Sequence, residues 1–252
     1  MSFLQLFSLG LIQALTEFLP VSSSGHLHLF QTLFHLTPSL SFDVLANTAT
    51  LLAVVFFFRR FLLTWLKNIT LSQLWLIFLG TFPAVLAGLF LKNQIDSLFI
   101  SPAPFALTYL LTATALFSLR FTKPKNKKLS PLRALFIGLA QALALLPGVS
   151  RSGLTITAAI LAGLSPKLAF RFSFLLYLPV SVGALLLTFT DGTFSTFVFP
   201  LPVFQLTLVF LTTAVLGYFS LKALRRLLLG RHLWIFGFYC LFLSLFTFFF
   251  LN

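Results

Sequence analysis

Apolar residues run along this chain in long blocks, broken by short polar or basic stretches, and the length of each block predicts its element. Segments 40 to 58, 70 to 91, 102 to 119, 170 to 189, 200 to 221 and 233 to 251 are apolar over about the ~20 residues that a helix needs to cross a hydrocarbon core. They predict six transmembrane helices. Two further apolar stretches are interrupted by Ser- and Gly-rich turns near residues 22 to 25 and 150 to 153. The helix after each turn, over 25 to 36 and 153 to 164, would be only ~18 Å long at 1.5 Å per residue, about half a bilayer core. Each turn is therefore expected to be the tip of a re-entrant helix-loop-helix hairpin. Thr37-Pro38 and Ser165-Pro166 then read as an N-cap and first helical residue opening the next span.

Composition excludes a water-soluble globule. Of 252 residues, 59% are hydrophobic and 8% charged, too little polar surface to clothe a domain of this size. The fold class is all-α integral membrane, with six transmembrane helices and two re-entrant hairpins. A net charge of +13 suggests nucleic acid at first sight, but most of the seventeen Lys and Arg cluster between apolar segments and read as topology signals, so no nucleic-acid partner is expected. The loops holding Arg59, Arg60 and Lys67, residues 120 to 133, and Lys222, Arg225, Arg226 and Arg231 should be cytoplasmic. Loops near Asp96 and Asp191 should lie outside, and the basic face should meet anionic lipid headgroups. Trp65, Trp75 and Trp234 fall beside basic loops, where interfacial aromatics belong. No Lys or Arg precedes Arg59, so a removable signal peptide is not expected. The single cysteine, Cys240, allows neither a disulfide framework nor a thiolate metal site.

Residues 10 to 25 (GLIQALTEFLPVSSSG) align without a gap on residues 138 to 153 (GLAQALALLPGVSRSG), nine of sixteen positions being identical. The register continues, with Leu36, Pro38, Leu40 and Phe42 falling on Leu164, Pro166, Leu168 and Phe170. An offset of half the chain means a duplicated half rather than a solenoid. The expected organisation is one membrane domain of two repeats, approximately 1–122 and 130–252, joined by the basic loop 120–133. Three predicted crossings separate the two motifs, and an odd number inverts the second copy. Inverted repeats place their site near the midplane, where interrupted helices meet. Free backbone at that depth is tolerated only against protein or a watery cavity, so the tips predict a cavity.

The polar residues of the tips carry the candidate chemistry. Glu17 is the only glutamate, and an acid in the bilayer interior costs at least ~2.5 kcal/mol, which makes function the default reading. Gln13 lies four residues before Glu17, hence on the same helix face, and the two could hold a cation or orient water. Ser22, Ser23, Ser24 and Gly25 precede a half-helix whose free amides and positive dipole end favour an anion such as phosphate. For Ser24 and Gly25 alone, capping and close packing suffice. His26 is a candidate acid, base or nucleophile, whereas His28 and His35 read as packing or interfacial residues. In the second tip, Ser150, Ser152 and Gly153 surround Arg151, whose guanidinium fork suits a phosphate, although pairing with Glu17 is the structural alternative. Asp43 and Arg171 occupy equivalent repeat positions and are expected to pair across the twofold or to support the tips.

At these residues the sequence resembles the undecaprenyl-diphosphatase family of bacterial bacitracin-resistance membrane phosphatases. Gln13 to His26 (QALTEFLPVSSSGH) is similar to that family's first signature and Pro147 to Gly153 (PGVSRSG) to its second, with a weaker match at Gly80 to Ala84 (GTFPA). The resemblance implies hydrolysis of undecaprenyl diphosphate to the monophosphate and inorganic phosphate, recycling the carrier for cell-wall synthesis and conferring bacitracin resistance. It implies a place in the bacterial inner membrane, with polyprenyl diphosphate as substrate, membrane lipids around it and a homodimer admissible. By motif position Glu17, Ser22, Ser23, His26 and Arg151 fall on family active-site positions. The family often carries a second Glu where this chain has Gln13, so a Mg²⁺ or Ca²⁺ at Glu17 and Gln13 would have one carboxylate fewer. No organic cofactor is expected. Ser23, His26 and water stand as alternative nucleophiles, Ser23 being preferred. The first tip enters from outside, which predicts a site opening to the periplasmic side. A lipid-phosphate flippase or anion transporter is the rival reading, because such transporters share this architecture.

Overall fold

The computed structural model describes residues 2–36, 40–99, 101–123, 125–190 and 201–251. Among them lie ten α-helices and no strand. Four are short: α1 (Phe3–Thr16), α2 (Ser23–Leu33), α6 (Pro131–Leu143) and α7 (Arg151–Leu161). The long ones are α3 (Leu40–Lys67), α4 (Leu71–Leu98), α5 (Ala103–Phe121), α8 (Pro166–Thr190), α9 (Val203–Leu229) and α10 (Phe236–Phe250), the last entered through a 3₁₀ turn at Leu233–Ile235. These give six spans long and apolar enough to cross a membrane, so the chain is a multi-pass membrane protein. The surface agrees with lipid as the solvent. Only 11% of the most apolar window of α4 is buried, and Trp75, Phe78, Phe82, Leu89 and Phe90 are exposed along it.

Several helices outrun the apolar blocks that predicted them. Helix α3 continues past residue 58 to Lys67, α9 past residue 221 to Leu229, and α8 starts at Pro166 rather than residue 170. The extensions hold Arg59, Arg60, Lys67, Lys167, Lys222, Arg225 and Arg226. Lys and Arg are good helix formers whose long stems snorkel, so the helix persists after the hydrocarbon crossing ends. The Ser165-Pro166 start is as expected, with Leu168 N–H donating to the Ser165 hydroxyl at 3.4 Å. Thr37-Pro38 and Asp191 lie outside the described residues.

Short helices pack on long ones in matched pairs. Helix α1 lies along α9, where Thr213 donates to the Gly10 carbonyl at 3.3 Å and Ser220 to that of Leu15 at 3.1 Å. Helix α6 lies along α4, where Gln141 Nε2 donates to the Gly80 carbonyl at 3.2 Å. Pro83 has no N–H, so the Leu79 carbonyl lacks its usual helical partner, and glycine at 138 lets α6 approach it. Helices α5 and α10 pack on each other. Between the hairpins lies an aromatic core, with Phe18 fully buried and ring centroids 5.8 Å apart for Phe18 and Phe174 and 5.4 Å for Phe58 and Phe170.

Candidate active site

The first tip is built by helix ends. Helix α1 stops at Thr16, Glu17 caps it with its N–H on the Gln13 carbonyl, and the chain turns back at Ser22. Ser22 has φ 68°, a left-handed conformation that costs a non-glycine residue energy and recurs at functional turns. Its hydroxyl accepts from Gly25 N–H at 3.2 Å, capping α2. In the second tip Ser150 caps α7 in the same way, accepting from Gly153 N–H at 3.2 Å, while its own N–H donates to Thr112 Oγ1. The tips touch directly. Ser152 donates to the Phe18 carbonyl at 2.7 Å, and Gly148 N–H donates to the Ser24 hydroxyl at 3.2 Å.

One ionic cluster crosses that contact. Arg151 Nη2 donates to Glu17 Oε1 at 2.7 Å, while Glu17 Oε2 accepts from Ser23 Oγ at 2.5 Å and from Gln13 Nε2 at 3.1 Å. Gln13 Nε2 also donates to Asn47 Oδ1 of α3 at 3.2 Å. Arg151 Nη1 donates to Ser181 of α8 at 3.2 Å, and its guanidinium lies 4.0 Å from the Tyr177 ring centroid, a cation–π contact. The Glu17 side chain is 8% exposed and that of Arg151 25%, so the guanidinium is the wetter partner.

Two cavities meet at Ser23. One, of about 260 Å³, is lined by Glu17, Ser22, Ser23, Ser24, Asn47, Ser150 and Arg151 among others. The other, of about 590 Å³, shares Ser23, Ser24, Asn47 and Pro147 and adds Gln13, His28, Gln31 and Asp43 against apolar Leu27, Phe99 and Phe105. The N-terminal residues of both α2 and α7 line the smaller cavity. Unpaired first-turn amides and two positive helix ends make it suited to a polyanion.

The structure thus brings Glu17, Ser22, Ser23, Ser24, Ser150 and Arg151 to one cavity and Gln13 to its neighbour. His26, Gly25, Ser152 and Gly153 line neither. His26 sits on the far face of α2, with Nδ1 2.6 Å from the Ser22 carbonyl, Nε2 2.7 Å from the Tyr239 hydroxyl, and its ring stacked on Tyr239. Gly25 faces Tyr109, whose hydroxyl a β-carbon there would meet, and Gly153 packs beside Pro20. His28 stacks on Phe105 at 4.2 Å, the packing role expected, but also lines the larger cavity. Of the two expectations for Asp43 and Arg171, pairing requires correction: Asp43, in the first turn of α3, lines the larger cavity with Gln13 and Ser23, whereas Arg171 lines a basic crevice beside Phe61, towards the other end of α3. Sequence reasoning missed Asn47, Thr112, Tyr177, Ser181 and Tyr239. Asn47 carried a signal, being an amide inside an apolar block, whereas Ser and Tyr in a span are too common to single out.

The residues that could hold a hard cation are Gln13, Glu17 and Asn47: Gln13 turns Nε2 to the Glu17 carboxylate and to Asn47 Oδ1, and its Oε1 is buried without a hydrogen-bond partner. Among the described residues no group of three His, Cys, Asp or Glu comes together to hold a metal. An ion here would therefore draw its remaining ligands from water or phosphate oxygens, as Mg²⁺ commonly does.

The family model described as bacitracin resistance protein BacA matches residues 6–246, a stretch that takes in both tips and every helix of the cluster. The chain belongs to the BacA family. It is 39% identical, over an alignment 264 positions long with gaps, to undecaprenyl-diphosphatase 1 of Bacillus cereus strain ATCC 14579, covering 96% of each chain. It is 36% identical over 257 residues to the undecaprenyl-diphosphatase of Thermosipho melanesiensis, covering 95% of this chain and 96% of that one. A protein of the same name from Methanococcus maripaludis strain C7 is 36% identical over 255 residues, with 96% of this chain and 98% of the relative covered.

Proposed function

We propose that this BacA-family chain hydrolyses undecaprenyl diphosphate to undecaprenyl phosphate and inorganic phosphate, recycling the lipid carrier for cell-wall synthesis and conferring bacitracin resistance. The names of its relatives support the substrate. The observation that carries the chemistry is a serine hydroxyl hydrogen-bonded to a carboxylate that is itself held by an arginine, at the mouth of a cavity lined by two helix N-termini.

In this reading the diphosphate lies in the smaller cavity against the free amides of α2 and α7. Arg151 spends two of its five N–H donors on Glu17 and Ser181, and the others meet phosphate oxygens. Ser23 Oγ attacks the terminal phosphorus as Glu17 takes its proton, and the bond to the bridging oxygen breaks, releasing undecaprenyl phosphate. Glu17 passes that proton to the bridging oxygen of the departing undecaprenyl phosphate. Water then attacks the phosphoserine with Glu17 again the base, and Glu17 returns the proton to Ser23 Oγ as inorganic phosphate leaves. Positioning and fixed dipoles supply most of the rate, as phosphoryl transfer requires. Gln13 and Glu17 would hold a divalent cation, Mg²⁺ or Ca²⁺, which when bound supplies charge neutralisation at the phosphates. His26, held on both ring nitrogens, fixes the turn at Ser22 rather than attacking.

The two halves are inverted repeats in this reading. The matched packing of α1 on α9 and α6 on α4 supports it, as does the position of α3, α4 and α5 between the hairpins. Positive-inside charge then places the basic helix ends in the cytoplasm and the mouth of the larger cavity on the periplasmic side of the inner membrane. The deciding experiment is phosphate release from polyprenyl diphosphate by purified protein, with Glu17→Ala and Arg151→Ala variants that still fold. Release by the wild type and loss in both variants is expected. Transfer of substrate across liposomes with no phosphate released, with or without divalent metal, would replace this reading with transport.

A further inference from the structure

The helix ends remote from the cavities hold a second polar feature that hydrolysis does not use. Arg60 near the end of α3, Lys167 and Arg171 at the start of α8 and Arg225 near the end of α9 line one crevice of about 210 Å³. Among the described residues no Asp or Glu lines it. All four side chains are exposed, and none makes a hydrogen bond or ion pair with another described residue. The rest of the wall is apolar, including Phe57, Phe61, Phe170 and Leu229, and the Arg171 guanidinium stands 5.1 Å from the Phe61 ring centroid. Four like charges in one crevice repel one another unless an anion sits among them. The anion must also suit an aromatic wall at the end of membrane-crossing helices, where headgroups meet acyl chains.

We propose that this crevice binds an anionic phospholipid, its headgroup phosphate among Arg60, Lys167, Arg171 and Arg225 and its acyl chains along the phenylalanine wall. Charge complementarity selects the phosphate, and the adjoining apolar wall selects a lipid over a soluble anion. The site is separate from the cavities at Ser23 and shares no lining residue with them.

Native mass spectrometry of the detergent-purified protein tests this, with phosphatidylglycerol and phosphatidylcholine of matched acyl chains. The wild type should retain phosphatidylglycerol at least fivefold over phosphatidylcholine. The Arg60→Gln/Arg171→Gln/Arg225→Gln variant should lose that preference, while Lys128→Gln/Arg133→Gln, basic positions outside the crevice, should keep it. Phosphate release within twofold of wild type by the triple variant establishes that it folds. Four results would overturn the proposal: equal retention of both lipids by the wild type, undiminished preference in the triple variant, equal loss in the control, or displacement of the lipid by millimolar free phosphate. Stronger retention of polyprenyl monophosphate than of phosphatidylglycerol would reassign the site to a different lipid and also refute it.

Discussion

Glu17 and Arg151 are separated by 134 residues of chain and by 2.7 Å in space, and their ion pair joins the first hairpin to the second. The pair is mostly buried, so removing one partner strands a charge at a cost of about 3–5 kcal/mol. Arg151→Leu should therefore lower the thermal midpoint in detergent more than Glu17→Gln does, and the double variant should recover part of the loss. Arg151→Lys keeps the charge but not the fork. It should fold and release phosphate at least ~100-fold more slowly, since one ammonium cannot serve Glu17, Ser181 and phosphate together.

Among the described residues, Ser23 is the one hydroxyl that both touches the Glu17 carboxylate and lines both cavities. Ser23→Ala should reduce turnover by about 10²–10⁴-fold while substrate still binds. Rapid acid quench of the wild type with terminally labelled polyprenyl diphosphate should trap label on Ser23. Full turnover by Ser23→Ala would mean that water attacks directly.

His26 stands on the other face of α2, bonded at both ring nitrogens. Tyr239→Phe removes one of those bonds, worth about 1 kcal/mol, without reaching the cavity. Its turnover should stay within about threefold of wild type by the same phosphate assay. A loss as large as that of Ser23→Ala would place a proton path through the Tyr239 hydroxyl.

Gly138 is where α6 meets the backbone of α4. A β-carbon there would stand 2.7 Å from the Gly80 carbonyl oxygen and 2.9 Å from that of Leu79, and backbone cannot swing aside as a side chain can. Gly138→Ala should destabilise the protein by about 1–3 kcal/mol, read as a lower thermal midpoint. Gly88→Ala, whose β-carbon would meet only the Leu145 side chain at 3.9 Å, is the control and should leave the midpoint unchanged.

Gln13 donates its Nε2 to Glu17, while its Oε1 is buried without a partner. Gln13→Glu adds a second carboxylate at that point and should tighten divalent-cation dependence, lowering half-saturating Mg²⁺ by roughly tenfold as ligand charge rises. Chelation should suppress wild-type phosphate release and added Mg²⁺ should restore it.

Much of this was legible in the chain. Twenty apolar residues in a row cross a membrane whatever surrounds them, because each backbone amide bonds within its own helix, so the six spans could be counted from one dimension. The tips were legible for a related reason. Charged residues inside apolar blocks are too costly to be accidental, which singled out Glu17 and Arg151 before any fold was known, whereas the preference for Ser23 came with the family resemblance. The charged helix ends were not, since an apolar run measures the hydrocarbon crossing and α3 and α9 continue beyond it on helix-forming Arg and Lys.

What only the tertiary structure decided is which groups face one another. His26 and Ser23 are three residues apart on one tip, yet α2 turns the hydroxyl toward Glu17 and the imidazole toward Tyr239. Asp43 and Arg171 match in sequence yet line different cavities. Asn47, Tyr177 and Ser181 reach the cluster from helices far away in the chain. Hydrophobicity is summed along the chain and so can be read locally. The direction of a side chain depends on helix rotation and on partners a hundred residues away, and packing alone sets both.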